Sequence, residues 1–79
     1  MIEILTFEEF EDAVQDKLEY SMSFNTIYVN DAEIDAEVRC PYGQPSNFEE
    51  RNEAIEKASK DEWFLERLWK DYVKNLLYV

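Results

Sequence analysis

Nineteen Asp and Glu residues stand against eight Lys and Arg in this sequence, and it contains no histidine. Carboxylates can exchange protons as a pair, hold a hard cation where they converge, or present negative charge to a cationic partner. The first two uses find little support. Without histidine, the usual general base and the commonest metal ligand are missing. Gly43 is the sole glycine, so there is no Gly-rich phosphate loop. The calcium-loop pattern is absent around residues 31–37, and a straight row of acids does not wrap a cation. Cys40, the single cysteine, has no His or Cys partner and reads as a small buried residue at a strand end. The expectation is a protein that is not an enzyme, with no catalytic residue, metal or cofactor.

The third use fits the distribution of charge. Residues 1–40 hold eleven acids and two bases, Lys17 and Arg39, while residues 41–79 hold eight acids and six bases. In the second half, Glu53 and Lys57, Glu56 and Lys60, Glu66 and Lys70, and Arg67 and Asp71 alternate in sign at i, i+4, as on an ordinary solvated helix. In the first half the acids have no such partners. Glu8, Glu9, Glu11, Asp12, Asp16 and Glu19 are placed on a helix opposite the apolar stripe Phe7, Phe10, Val14 and Leu18. Glu8 with Asp12 and Asp12 with Asp16 are like-charge pairs, each costing an isolated helix roughly a few tenths of a kcal/mol. Glu33, Asp35 and Glu37 form a second row, with Asp31 beside it, about 6.6–6.8 Å apart if the segment is a strand. This spacing and the roughly 5–6 Å between i, i+4 neighbours on the helix are of the order of phosphate spacing along a polynucleotide. A solvated surface that merely keeps the protein soluble is the competing reading, and the contrast between halves favours a binding role.

The elements that must position these groups follow from short patterns. Residues 1–5 read as a strand. Thr6-Phe7-Glu8-Glu9 is a capping box, opening a helix to about Tyr20. Residues 24–29, rich in aromatic and β-branched types, read as a strand, Asn30 and Asp31 as a two-residue turn, and residues 32–40 as a half-buried strand of period two. That register sets Ile27 opposite Ile34 and Val29 opposite Ala32, with Phe24 and Tyr28 as core or contact residues. Pro41 to Pro45 is a loop, with Tyr42 exposed. Ser46-Asn47-Phe48-Glu49 and Ser59-Lys60-Asp61-Glu62 are further capping boxes, so two helices are preferred over one spanning residues 47–77. Leu65, Leu68, Trp69, Tyr72, Val73 and Leu76 form the last apolar stripe, and Trp63 is assigned to the core with Trp69 and Tyr72. The order β-α-β-β-α-α gives a single small α+β domain, residues 1–79, with helices packed on a short antiparallel sheet. Twelve aromatics must carry its core.

A net charge of −11 opposes direct nucleic-acid binding and an anionic membrane surface. No apolar run approaches the roughly 20 residues of a membrane span. The first residues lack a secretory pattern, and one cysteine suits a reducing compartment, so a cytoplasmic setting in a bacterial host is expected.

A short chain with acids at Glu8 to Glu19 and Asp31 to Glu37, on a helix and a hairpin, resembles small phage-encoded DNA-mimic inhibitors. These include anti-CRISPR proteins that fill the PAM-reading cleft of a Cas nuclease, anti-restriction proteins, uracil-DNA glycosylase inhibitors and inhibitors of nucleoid proteins. The element order looks like one anti-CRISPR fold. The resemblance implies a non-enzymatic inhibitor, monomeric or homodimeric, whose partner is a basic DNA-binding protein. An adaptor such as an antitoxin or a modulator of transcription machinery is the alternative. The residues expected to bind the partner are Glu8, Glu9, Glu11, Asp12, Asp16, Glu19, Asp31, Glu33, Asp35 and Glu37, named from charge geometry alone.

Overall fold

The computed structural model describes residues 3–77. The first capping box forms as its motif predicts. Thr6 Oγ1 accepts from the Glu9 backbone N–H at 3.2 Å, and Glu9 Oε1 accepts from the Thr6 N–H at 3.0 Å. Helix α1 then runs over Phe7–Val14 and stops well short of Tyr20. Lys17 N–H turns back to Val14 O at 2.9 Å, and the chain enters strand β1, Leu18–Ser21. Acids at a helix C-terminus oppose its dipole, so Asp16 and Glu19 disfavour continuation, whereas Leu18 and Tyr20 gain partners as a strand. Leu18 is still buried, but from the sheet.

Strand β2 is Thr26–Val29 and β3 is Glu37–Arg39. They form an antiparallel sheet of order β1-β2-β3. The expected turn at Asn30 and Asp31 is replaced by one at residues 22–25, where Asn25 takes φ 51°, a left-handed value that Asn tolerates better than most residues. Leu18 pairs with Val29, and Ile27 pairs with Val38 instead of Ile34. Residues 31–36 are consequently a loop. Yet Ile34, Ala36 and Cys40 are all buried, so the period-two burial extends beyond the short ladder. The expected strand at residues 1–5 also fails. Met1 and Ile2 lie outside the described residues, and residues 3–5 have no regular structure. They are clamped to the last helix, with Leu5 N–H donating to Tyr72 Oη at 3.1 Å and Trp69 Nε1–H donating to Leu5 O at 2.9 Å.

Helices α2 (Phe48–Lys60) and α3 (Glu62–Leu77) are separate, and their caps, Asn47 and Asp61, lie one and two residues beyond the expected Ser46 and Ser59. Asn47 Oδ1 caps α2 by accepting from Glu50 N–H at 2.8 Å, and Ser46 N–H and Oγ both donate to Glu50 Oε2. Asp61 Oδ1 caps α3, accepting from Trp63 and Phe64 N–H. Its other oxygen takes the Tyr42 hydroxyl at 2.6 Å, which draws the expected exposed loop residue half inside. The fold is α+β, in the order α-β-β-β-α-α.

The core joins one face of the sheet to the three helices through Phe10, Val14, Ile27, Ala54, Ala58, Leu65, Leu68 and Tyr72, with Phe10 stacked on Tyr72 at 5.2 Å. Not all aromatics contribute. Phe24, Phe48 and Trp63 are 74%, 70% and 77% exposed. Trp63 precedes the inward stripe of Phe64, Leu65, Leu68 and Tyr72, so it faces outward. Among the described residues, no helix is long and apolar enough to cross a membrane.

The Tyr42 hydroxyl predicts an alkaline response. Desolvation first, then its bond to Asp61, hold its pKa well above the usual tyrosine value. A raised pKa means the folded state keeps the proton longer than the unfolded chain, so stability falls as pH rises past about 10. Lys17 and Tyr28 shift in the same direction. Urea midpoints between neutral and strongly alkaline pH should drop less steeply for Tyr42→Phe than for the parent protein, and parallel profiles would refute this role for Tyr42.

Candidate acidic interface

Helix α1 offers Glu8 and Asp12 to solvent one turn apart, with Asp16 exposed just beyond its end. Glu11 departs from the expectation. It lies on the flank of the stripe, half-buried, because it follows Phe10 directly. Glu9 is exposed, but its carboxylate is committed to the capping box. That bond to the Thr6 N–H and hydroxyl lowers its pKa.

The loop 31–36 supplies the second group of acids, and contacts along its length hold it. Asp31 Oδ1 accepts from Glu33 N–H at 2.8 Å, Ala36 O accepts from Val29 N–H at 3.1 Å, and Asp35 O accepts from Asn75 Nδ2 at 2.8 Å. Glu37 N–H, at the end of the loop, donates to Asp71 Oδ2 at 3.0 Å. Ile34 and Ala36 peg the loop into the core. Glu33 and Asp35 are therefore exposed groups on a pinned segment, and no regular row runs from Glu33 to Glu37, because only Glu37 is on a strand.

Lys17 joins the two groups. Its Nζ lies 2.8 Å from Asp31 Oδ2. The hydrogen bond with Asp31 raises the lysine pKa, with Asp16 and Glu33 adding to the field, and lowers that of Asp31, which Glu33 N–H stabilises further. The pair is exposed and contributes little net stability, but it places Asp16, Asp31 and Glu33 around one point. An open groove of about 460 Å³ there is lined by Glu3, Lys17, Asp31 and Glu33 among others. Glu3 was not among the expected residues. The clamp from Tyr72 and Trp69 to Leu5 brings its segment to this side, and no local pattern signals that clamp.

Glu19 and Glu37 lie elsewhere. Register places Glu19, Tyr28 and Glu37 side by side across the sheet, on the face away from the core. Tyr28 Oη donates to Glu19 Oε2 at 2.9 Å and Asn30 Nδ2 to Glu19 Oε1 at 3.2 Å, so Glu19 is already engaged. The expected two rows are thus a helix face and a pinned loop meeting at Lys17, with a separate pair flanking Tyr28. Among the described residues, the only ion pair made by an acid of residues 3–40 is that of Asp31 with Lys17. The carboxylates are spread, and no group of three that could hold a metal ion is found among the described residues.

In α2 and α3, Glu56 with Lys60 and Glu66 with Lys70 form the expected ion pairs at 3.2 and 3.3 Å. Glu53 with Lys57 and Arg67 with Asp71 do not. Lys57 sits over the Tyr42 ring at 4.8 Å, and Asp71 is taken by Glu37 N–H and Asn75. Comparison with protein-family models, curated proteins and solved structures finds no match for this chain.

Proposed function

We propose that the exposed face of α1 and the loop 31–36 dock into the nucleic-acid-binding groove of a basic protein, so that the chain acts as a non-enzymatic inhibitor by DNA mimicry. One observation carries this reading: Glu8, Asp12, Asp16, Glu33 and Asp35 are exposed and form no ion pair among the described residues, and hydrogen bonds hold the loop backbone at both ends. A loop whose backbone is already held loses little loop entropy on binding, and the anionic surface gains association rate by steering. It also displaces the counterions or phosphates that the groove would otherwise hold. An arginine-lined cleft that reads PAM bases is one groove of this kind.

The test uses the Glu8→Lys, Asp12→Lys, Asp16→Lys triple variant. Glu19 is left intact because its carboxylate holds Tyr28 and Asn30. Removal of like-charge repulsion should leave the free protein as stable as the parent or more so. Capture of a basic partner from a bacterial lysate at low salt should be lost, and duplex DNA should release that partner from the parent protein. Undiminished capture by the variant would remove α1 from the interface, and a ternary complex with partner and DNA would favour an adaptor.

A further inference from the structure

At the opposite end of β3 from the loop 31–36, a cleft of about 150 Å³ opens between Pro41, Trp63 and Phe64, with Arg39 and Arg67 on its rim. That volume is of the order that admits one aromatic ring. Trp63 is the most exposed large apolar side chain among the described residues, at 77%. Neither arginine meets a carboxylate in an ion pair among the described residues. For Arg67 the reason is visible: its i, i+4 neighbour Asp71 is engaged by Glu37 N–H and Asn75. Asp61, the acid in the cleft, is occupied by the Tyr42 hydroxyl and by two backbone N–H groups. In a chain of net charge −11, this end presents two unpaired guanidinium groups around an exposed indole.

We infer that the cleft binds a short acidic peptide segment of a protein partner, with one aromatic side chain lodged against Trp63 and flanking carboxylates on Arg39 and Arg67. Arginine matches a carboxylate with two parallel hydrogen bonds, and charge-assisted bonds of this kind are the stronger class. Tryptophan and arginine are also the residue types that dominate binding hot spots. Indole and guanidinium groups would equally suit a single-stranded polynucleotide, but such a ligand brings a phosphate with every nucleotide towards a strongly negative protein. A short peptide brings only the few carboxylates that the two arginines neutralise. The inference is independent of the acidic interface, which uses different residues.

The experiment titrates the nitrogen-15-labelled full chain, at low salt, with acetyl-Asp-Phe-Asp-amide, whose two carboxylates match the two arginines, and follows the two indole N–H resonances. The Trp63 signal should shift saturably, while that of Trp69, whose indole N–H is held by Leu5 O, stays in place. Affinity should weaken about tenfold in the Arg39→Gln, Arg67→Gln variant, whose substitutions are on exposed side chains. It should vanish for the peptide with Ser in place of Phe. The inference is overturned by no saturable Trp63 shift, by an equal response to a Lys-flanked peptide, or by tighter binding of oligothymidylate, which would mark a nucleic-acid site.

Discussion

Replacement of Phe10 by Ala should unfold most of the protein. Phe10 is fully buried, stacks on Tyr72 at 5.2 Å, and lies where α1 meets α3. Truncation of a buried Phe costs about 3–5 kcal/mol, from the lost transfer free energy and the cavity left behind. A domain near 80 residues without a staple rarely holds more than about 3–5 kcal/mol. Circular dichroism should show a collapsed thermal transition. Phe48→Ala, at a side chain 70% exposed, supplies the control and should change stability by no more than about 0.5 kcal/mol. Comparable losses from the two substitutions would refute the assignment of the core.

The second large effect is expected at Asp61. One carboxylate oxygen caps α3, and the other accepts the Tyr42 hydroxyl that ties the proline loop to the junction of α2 and α3. These bonds, that of Tyr42 foremost, hold the Asp61 pKa below its ordinary value. Loss of a helix N-cap costs about 0.5–2 kcal/mol, and the part-buried Tyr42 hydroxyl also loses its acceptor. Asp61→Ala should therefore lower stability by about 2–3 kcal/mol, read as a shift of the urea midpoint at constant slope. Asp61→Asn keeps an acceptor and should lose much less. Equal losses for Ala and Asn would assign the effect to charge. A lowered carboxylate pKa also fixes the sign of the acid response: the contribution is present above the unfolded value near 3.9 and disappears as pH falls through the lower folded value. Glu9, Asp31 and Glu50 shift in the same direction, so acid unfolding should begin below about pH 4.

The candidate interface and the cleft at Trp63 lie at opposite ends of β3, so the chain has two faces of unlike chemistry. The acidic face suits rapid, salt-sensitive encounter, whereas the cleft suits a slower-dissociating contact built on one aromatic anchor. Charge reversal on α1 and neutralisation of Arg39 and Arg67 can be combined, because the two sets of residues share no partner. Additive effects on a common partner would show that both faces engage it independently.

Residue order alone determined what depends on near neighbours. Thr6 with Glu9 opened a helix, the break near Asp61 divided α2 from α3, Cys40 was placed inside, and the surplus of acid was assigned to residues 1–40. Each of these rests on interactions within about one turn or on composition, which need no knowledge of distant partners. Tertiary structure decided where α1 ends, which residues form the hairpin turn, and hence how the acids are arranged. Local propensity and the apolar stripe favour a helix through residues 15–20, and pairing of Leu18 to Ser21 with β2 overrides it. That pairing moved the turn to Asn25, turned the expected acidic strand into a loop held by Asn75 and Asp71, and carried Glu19 onto the sheet beside Tyr28. Competing β registers differ little in local free energy. The difference arises from side chains buried against helices far along the chain, which a local pattern does not contain.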